Sequence, residues 1–316
     1  MSKFDLVWRS LEERVASKWA PGIVAGLRHA GETESFATGD LAFDSSETMR
    51  TDTRFRIASL SKPFAGVLAA SMMADGLFGV DDPVDRWLPE LANPQVLASP
   101  DAPLDHTVPA DKPITIRHLL TSTHGLGLSF AGTPLAAAIA GWGTGPIPPD
   151  MSPDEYLARI GALPLGYQPG TRWAYHTSCD ILGVLLARVA GAPLHEVIRE
   201  RITGPLGMNS TSFSADSAML PTAYQATPDG LEVAKSYDGA FSSPPKFESL
   251  GGGLLSTVTD HLTFLSALAD DRLIPAELRG QMTSDQLTAE QRAGTQGMMP
   301  PTRSWGLADI GRHRDQ

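Results

Sequence analysis

Cysteine is almost missing from these 316 residues. The single Cys179 excludes an intramolecular disulfide and any cysteine-based zinc site. Positive charge is also scarce, with 25 Lys and Arg against 36 Asp and Glu for a formal net charge of −11. Counterion release needs clustered basic side chains, and no basic stripe is present, so no nucleic-acid partner is expected. No apolar run approaches the ~18 residues of a membrane span. The N-terminus carries Arg9, Glu12, Glu13 and Arg14 where a signal peptide needs an apolar stretch. No membrane partner and a cytoplasmic location are therefore expected. The eight histidines show no His-x-x-x-His spacing, and no Gly-Lys-Ser/Thr follows the glycine run at 251–253. No Gly-x-Ser-x-Gly elbow occurs, which counts against the common esterase fold. No metal or cofactor is expected.

What is present suffices for a large core. Hydrophobic residues make up 42%, and a chain near ~300 residues buries roughly three quarters of its unfolded surface. Residues 5–19 place Leu6, Val7, Leu11, Val15 and Trp19 at helical spacing, predicting an amphipathic helix. Gly22–Thr38 reads as two strands around the turn-like Ala30–Gly31. A helix is predicted from Ser61 to Ala74, ended by Gly76. The region from about 77 to 250 is rich in Pro and Gly and reads as short helices. Ser152-Pro153-Asp154-Glu155 there forms a capping-box start. Further helices are predicted over Ser178–Ala190 and from a cap at Ser256 or Thr257 to about Ala269. With no internal repeat and no obvious linker, residues 1–316 read as a single domain.

Three segments carry chemistry. Ser59-Leu60-Ser61-Lys62 fits the Ser-x-x-Lys pattern of acyl-serine enzymes. Side chains at i and i+3 share a helical face, so Lys62 can reach the Ser59 oxygen. A second match, Ser243–Lys246, holds two consecutive prolines that forbid such a turn. Pro63 would clash with a helical carbonyl at Ser59, so Ser59 belongs at the helix entrance. Free N–H groups there favour a developing oxyanion. Without further context, this motif also fits an ordinary helix start with a solvated lysine. Second, Trp173-Ala174-Tyr175-His176-Thr177 lies between the Pro169-Gly170 turn and a helix. Tyr175 could point into a cleft for proton transfer, or Trp173 and Tyr175 could alternate on a short strand and pack into the core. Third, Gly251-Gly252-Gly253 allows either close backbone approach to a ligand or a tight turn against the core.

Taken in order, these pieces resemble the β-lactamase and penicillin-binding-protein superfamily of serine hydrolases, nearest to its class C β-lactamase-like branch, which includes esterases. The resemblance runs from about Pro21 to Leu268. It rests on FRIASLSKPF (55–64), GLFGVDDPVDRWLPEL (76–91), ITIRHLLTSTHGL (114–126), PGTRWAYHTSCDILGVLLARVAG (169–191), PLGMNSTSF (205–213) and GGGLLSTVTDHLTFLSAL (251–268). It implies that Ser59 is the acylated serine, Lys62 its motif lysine and Tyr175 the tyrosine of a Tyr-x-Asn motif. Either Lys62 or Tyr175 could be the base. Thr177 stands where many relatives have a substrate-contacting Asn.

The implied fold is α+β, an antiparallel sheet flanked by helices with a mostly helical region beside it. The implied function is hydrolysis of a small-molecule carboxylic ester, or a related amide or lactam, through an acyl-enzyme. The alternatives are a catalytically impaired penicillin-binding-like protein, a β-lactamase or a D-amino-acid peptidase. Relatives also carry a third motif on a cleft-lining strand near the C-terminus. After Ser304-Trp305-Gly306-Leu307 the chain ends in ADIGRHRDQ, where no such strand is expected. Trp142-Gly143-Thr144-Gly145 has similar letters but lies in the wrong order. An incomplete sheet edge, weak activity and association are the consequences expected for the isolated chain.

Overall fold

Why the chain builds layers around one helix is visible in the computed structural model, which describes residues 4–128, 132–140, 142, 145, 147–293, 298, 303–308 and 310–312. The chain opens with α1 (Asp5–Ala16) and the hairpin β1 (Gly22–His29) and β2 (Glu32–Gly39), paired around Ala30–Gly31. The short β3 (Phe55–Arg56) leads through a 3₁₀ turn, Ala58–Ser61, into α2 (Lys62–Ala74). The middle region adds β4 (Gln95–Leu97), β5 (Thr107–Pro109), α3 (Ile116–Leu120), α4 (Pro134–Ile139), α5 (Pro153–Gly161), α6 (Thr177–Ala190) and α7 (Leu194–Ile198). β6 (Tyr224–Thr227) and β7 (Gly230–Val233) form an exposed hairpin. β8 (Leu255–Ser256) precedes α8 (Val258–Ala269), α9 (Ala276–Thr283) and α10 (Ala289–Ala293). Last come β9 (Arg303–Trp305) and β10 (Ile310–Arg312). Among the described residues the sheet component consists of five antiparallel two-stranded ladders.

α2 is the centre because its sequence is apolar on every side. Phe64, Val67, Leu68, Ala69 and Met72 are all fully buried, as a helix without a polar face must be. α6 packs on one side of it and α3 packs on α6 in turn. α8 covers α2 through Phe264, whose ring stacks on Phe64 at 4.1 Å between centroids, and β1 lies over α8. Ser152 and Thr257 cap α5 and α8 by accepting the N–H groups of Glu155 and Asp260, each cap worth about 1 kcal/mol.

Two differences from the sequence reading have clear causes. The buried face of α1 carries Trp8, while Leu6 and Trp19 lie exposed. Trp8 stacks on Phe36 of β2 and its indole N–H donates to Glu34. One large ring satisfies the contact that several aliphatic side chains suggested. At the other end, the tail expected to hold no strand contributes β10, paired with β9 through Ile310↔Trp305. Gly143 and Thr144 lie outside the described residues, as do residues 313–316. No single described helix is long and apolar enough to cross a membrane.

Candidate active site

Ser59 sits in the 3₁₀ turn and Lys62 is the first residue of α2, with Pro63 just behind it. Side chains three apart eclipse each other in a 3₁₀ turn, and Lys62 Nζ donates to Ser59 Oγ at 3.0 Å. The N–H of Ser59, in the first turn, has no acceptor within that turn. Lys62 is only 2% exposed. Burying an ammonium is costly unless acceptors surround it. They do: besides Ser59 Oγ, the Gly251 carbonyl accepts from Nζ, and Nζ lies 4.5 Å from the centre of the Tyr175 ring. No carboxylate among the described residues is within ion-pair distance of it.

Tyr175 arrives from the opposite side, and its hydroxyl donates to Ser59 Oγ at 2.7 Å. It stands on neither a strand nor a helix. Backbone bonds hold its segment instead: Gly170 N–H to Thr123 O, Ala174 N–H to Ser122 O, and Leu128 N–H to Tyr175 O. A side chain at Gly127 would collide with Ala174 and Tyr175 at 2.7 Å, so only glycine lets the two backbones approach. Trp173 and Trp305 complete an aromatic cluster, the Trp305 ring meeting Tyr175 edge-on at 5.9 Å. Trp305 Nε1 donates to Leu120 O. The sequence reading did not connect Trp305 with this site.

The entrance to α6 is strained. His176 has φ 86° and ψ −67°, and Thr177 N–H donates to Tyr175 O across it at 3.3 Å. This is a γ-turn of the rare positive-φ kind. Asp180, one turn into α6 and 2% exposed, ties this entrance to the glycine run. Its Oδ1 accepts from Ser249 Oγ at 2.6 Å and from Gly251 N–H at 2.9 Å. His176 Nε2 lies 3.4 Å from Oδ2 without hydrogen-bond alignment. Burial opposes the Asp180 charge, but His176, Ser249 and the Gly251 N–H together hold its carboxyl below the ordinary aspartate value. A Cβ on Gly251 would meet that carboxylate at 2.8 Å. The close approach that the glycine run permits is thus to Asp180. Gly251 joins the two halves of the site, its N–H on Asp180 and its carbonyl on Lys62.

Thr177, the fourth residue singled out from sequence, is fully buried at the start of α6. Its Oγ1 makes no hydrogen bond among the described residues and does not join the Ser59 constellation. Behind it, Ser178 Oγ bonds His124 Nδ1 at 2.8 Å, and burial lowers the His124 pKa to about 3. Burial likewise pushes the Cys179 thiol up to about 12, where it is a poor nucleophile. No cluster of three or more His, Cys, Asp or Glu among the described residues has metal-holding geometry.

A cavity of about 320 Å³ opens beside Tyr175 and Trp173. A larger one, about 530 Å³ and lined by Gly183, Val184, Arg188 and Phe247, touches none of Ser59, Lys62, Tyr175 or Thr177. Chemistry, not size, selects the first.

The Beta-lactamase family model matches residues 8–309. The chain is 37% identical over 259 residues to Protein Rv1367c of Mycobacterium tuberculosis, covering 79% of this chain and 63% of that protein. It is 32% identical over 288 residues to Esterase EstB of Burkholderia gladioli, covering 84% and 70%. It therefore spans somewhat under two thirds of the first of these relatives. Simvastatin Synthase (LovD) from Aspergillus terreus superposes with TM-score 0.80 at 23% identity, covering 98% of this chain and 83% of that one. EstCE1, a hydrolase with promiscuous acyltransferase activity, gives TM-score 0.77 at 24% identity, covering 97% and 82%. These structural likenesses show an α+β fold of the β-lactamase and transpeptidase kind.

Proposed function

The chain belongs to the beta-lactamase family, and from that premise we propose that it is a serine hydrolase cleaving a carboxylic ester through an acyl-enzyme. One observation carries the reading: Ser59 Oγ receives both Lys62 Nζ and the Tyr175 hydroxyl, at 3.0 and 2.7 Å. Hydrogen-bond reach between a nucleophile and its proton acceptors is the geometric requirement for general-base activation. In the proposed cycle Ser59 Oγ attacks the ester carbonyl while its proton enters the Lys62–Tyr175 pair. The Ser59 N–H faces the developing oxyanion. The same pair returns the proton to the departing alkoxide, leaving an acyl group on Ser59. Water, activated by the same pair, then attacks the acyl carbonyl and frees Ser59.

An alcohol taking the place of that water would turn hydrolysis into acyl transfer. The mostly apolar cavity beside Tyr175 favours this as a second outcome at the same site, and it is the activity named in relatives such as the ML-236A carboxylate methylbutanoyltransferase of Penicillium citrinum, 33% identical over 291 residues. An ester is preferred over a β-lactam as substrate because Thr177, in the place of the amide-reading Asn, is buried out of the cleft. The test is intact-mass analysis after fluorophosphonate treatment. A single adduct that is absent from Ser59→Ala is expected, together with faster turnover of nitrophenyl acetate than of a chromogenic cephalosporin. An unmodified protein, or an adduct that persists in Ser59→Ala, overturns the assignment.

A further inference from the structure

We infer that the cavity beside Tyr175 accepts the apolar body of a substrate bearing one carboxylate, which Arg172 binds. The inference rests on the ester-hydrolase reading and adds the substrate's charge to it. Leu126, Leu135 and Ile139 give the cavity its apolar wall, and Tyr175, whose hydroxyl donates to Ser59 Oγ, lines one side of it. Among the described residues, two charged side chains line it, Arg172 and Asp101. The Arg172 guanidinium carbon lies over the Tyr167 ring, 4.8 Å from its centre. A cation over a ring face at this distance is held there by attraction to the ring. Unlike Arg188, Arg117 or Arg159, which each hold a carboxylate, Arg172 makes no hydrogen bond or ion pair among the described residues. It is a half-buried cation with its N–H donors unspent, in a largely apolar pocket that Tyr175, the hydrogen-bond partner of Ser59, also lines.

A guanidinium fork matches a carboxylate through two parallel hydrogen bonds. The apolar walls select a ligand whose remaining surface is hydrocarbon. Asp101, on the rim of the same cavity and exposed, repels a second negative charge. Together these features favour a singly charged carboxylate over a phosphate dianion, and over a neutral ester of the same length.

Two arms test it. In the first, kcat/KM is measured for mono-nitrophenyl adipate and for nitrophenyl hexanoate, which differ by the terminal carboxylate. A charge-assisted pair predicts a preference of roughly 10-fold or more for the adipate, falling to about one in Arg172→Gln. Equal rates in the wild type, or a preference that survives Arg172→Gln, overturn the inference. The second arm needs no turnover. Binding of monomethyl adipate and of dimethyl adipate to Ser59→Ala is followed by tryptophan fluorescence. Tighter binding of the anion is expected, and its loss in Ser59→Ala/Arg172→Gln. If neither ester is hydrolysed, the functional reading fails while this arm still decides the carboxylate, and indifference to the anion rejects it.

Discussion

Two helix entrances meet at Ser59, and they are built by opposite means. At α2, four consecutive residues suffice: the 3₁₀ turn stacks Lys62 under Ser59, and Pro63 keeps the turn from continuing backward as α-helix. At α6, nothing local suffices. Tyr175 is aimed by loop 122–128, by the γ-turn at His176, and by Asp180 reaching Ser249 and Gly251 some 70 residues away. A serine and a lysine that reaches it can be encoded by spacing. The third arm is a tertiary construction, held against backbone strain of about 1–3 kcal/mol.

The largest effect comes from removing either entrance's reacting group. Ser59→Ala, Lys62→Ala and Tyr175→Phe are each expected to lower kcat/KM for nitrophenyl acetate by about 10³-fold or more. Because the three act as one unit, the double variants should be scarcely worse than the singles. Additive losses in the double variants would show that the two entrances work independently.

Next in size is the link between them. Asp180 touches no substrate in the proposed cycle, so it is a positioning residue acting through Gly251 on Lys62. In Asp180→Ala the Ser249 hydroxyl and the Gly251 N–H both lose the oxygen that accepts from them, leaving buried donors unpaired at a cost of about 1–3 kcal/mol each. The expected result is a fall of about 10²-fold in kcat with KM little changed, and slower fluorophosphonate labelling of Ser59. A lower melting temperature with normal kcat in the folded protein would assign Asp180 to stability alone.

The same contrast explains what the sequence revealed. Ser59, Lys62 and the helix behind them are legible because their geometry is local, as are the β1–β2 hairpin and the caps at Ser152 and Thr257. From its own surroundings Tyr175 was legible only as a residue at a helix junction; its partnership with Ser59, 116 residues earlier, came from the family resemblance and from nothing local. The glycine run stayed undecided between a ligand's approach and a tight turn because nothing near it in sequence shows that Asp180 fills the space. Trp305 carried no signal at all, since a tryptophan beside a strand normally packs into core.

A smaller and graded effect follows from the floor of the α6 entrance. Buried His124 has its pKa lowered to about 3, and partly buried His118 has it lowered to about 4, by burial and nearby cations. An unfolded histidine titrates near 6.5, so below that pH the unfolded chain binds protons that the folded chain refuses. The stabilisation is complete above pH 6.5 and is lost as pH falls toward 3, at about 1.4 kcal/mol per unit for His124. Asp180 acts in the same sense, its contribution fading as pH drops below the ordinary aspartate value. Urea unfolding between pH 7.5 and 4.5 should show this slope. His124→Asn, which keeps a polar group near Ser178 but does not titrate, should flatten it. An unchanged slope would place the acid sensitivity elsewhere.

The smallest effect separates the entrances most cleanly, because each holds one non-glycine residue at positive φ: Ala58 at 44° and His176 at 86°. Ala58 contributes only a methyl group, so Ala58→Gly releases the strain and gives up little. Part of that gain is offset by the freer unfolded chain of a glycine. The net expectation is a stabilisation of up to about 1 kcal/mol, with the Lys62–Ser59 contact kept. His176→Gly releases more strain but empties the buried site beside Asp180 and removes the imidazole that lies 3.4 Å from its carboxylate. Loss of a buried side chain of this size outweighs about 1–3 kcal/mol of strain, so this variant should be less stable than the parent. Chemical denaturation of both variants decides the matter. Stabilisation by His176→Gly would mean that the γ-turn is an unsupported distortion, and that the α6 entrance is held by its loops without help from Asp180.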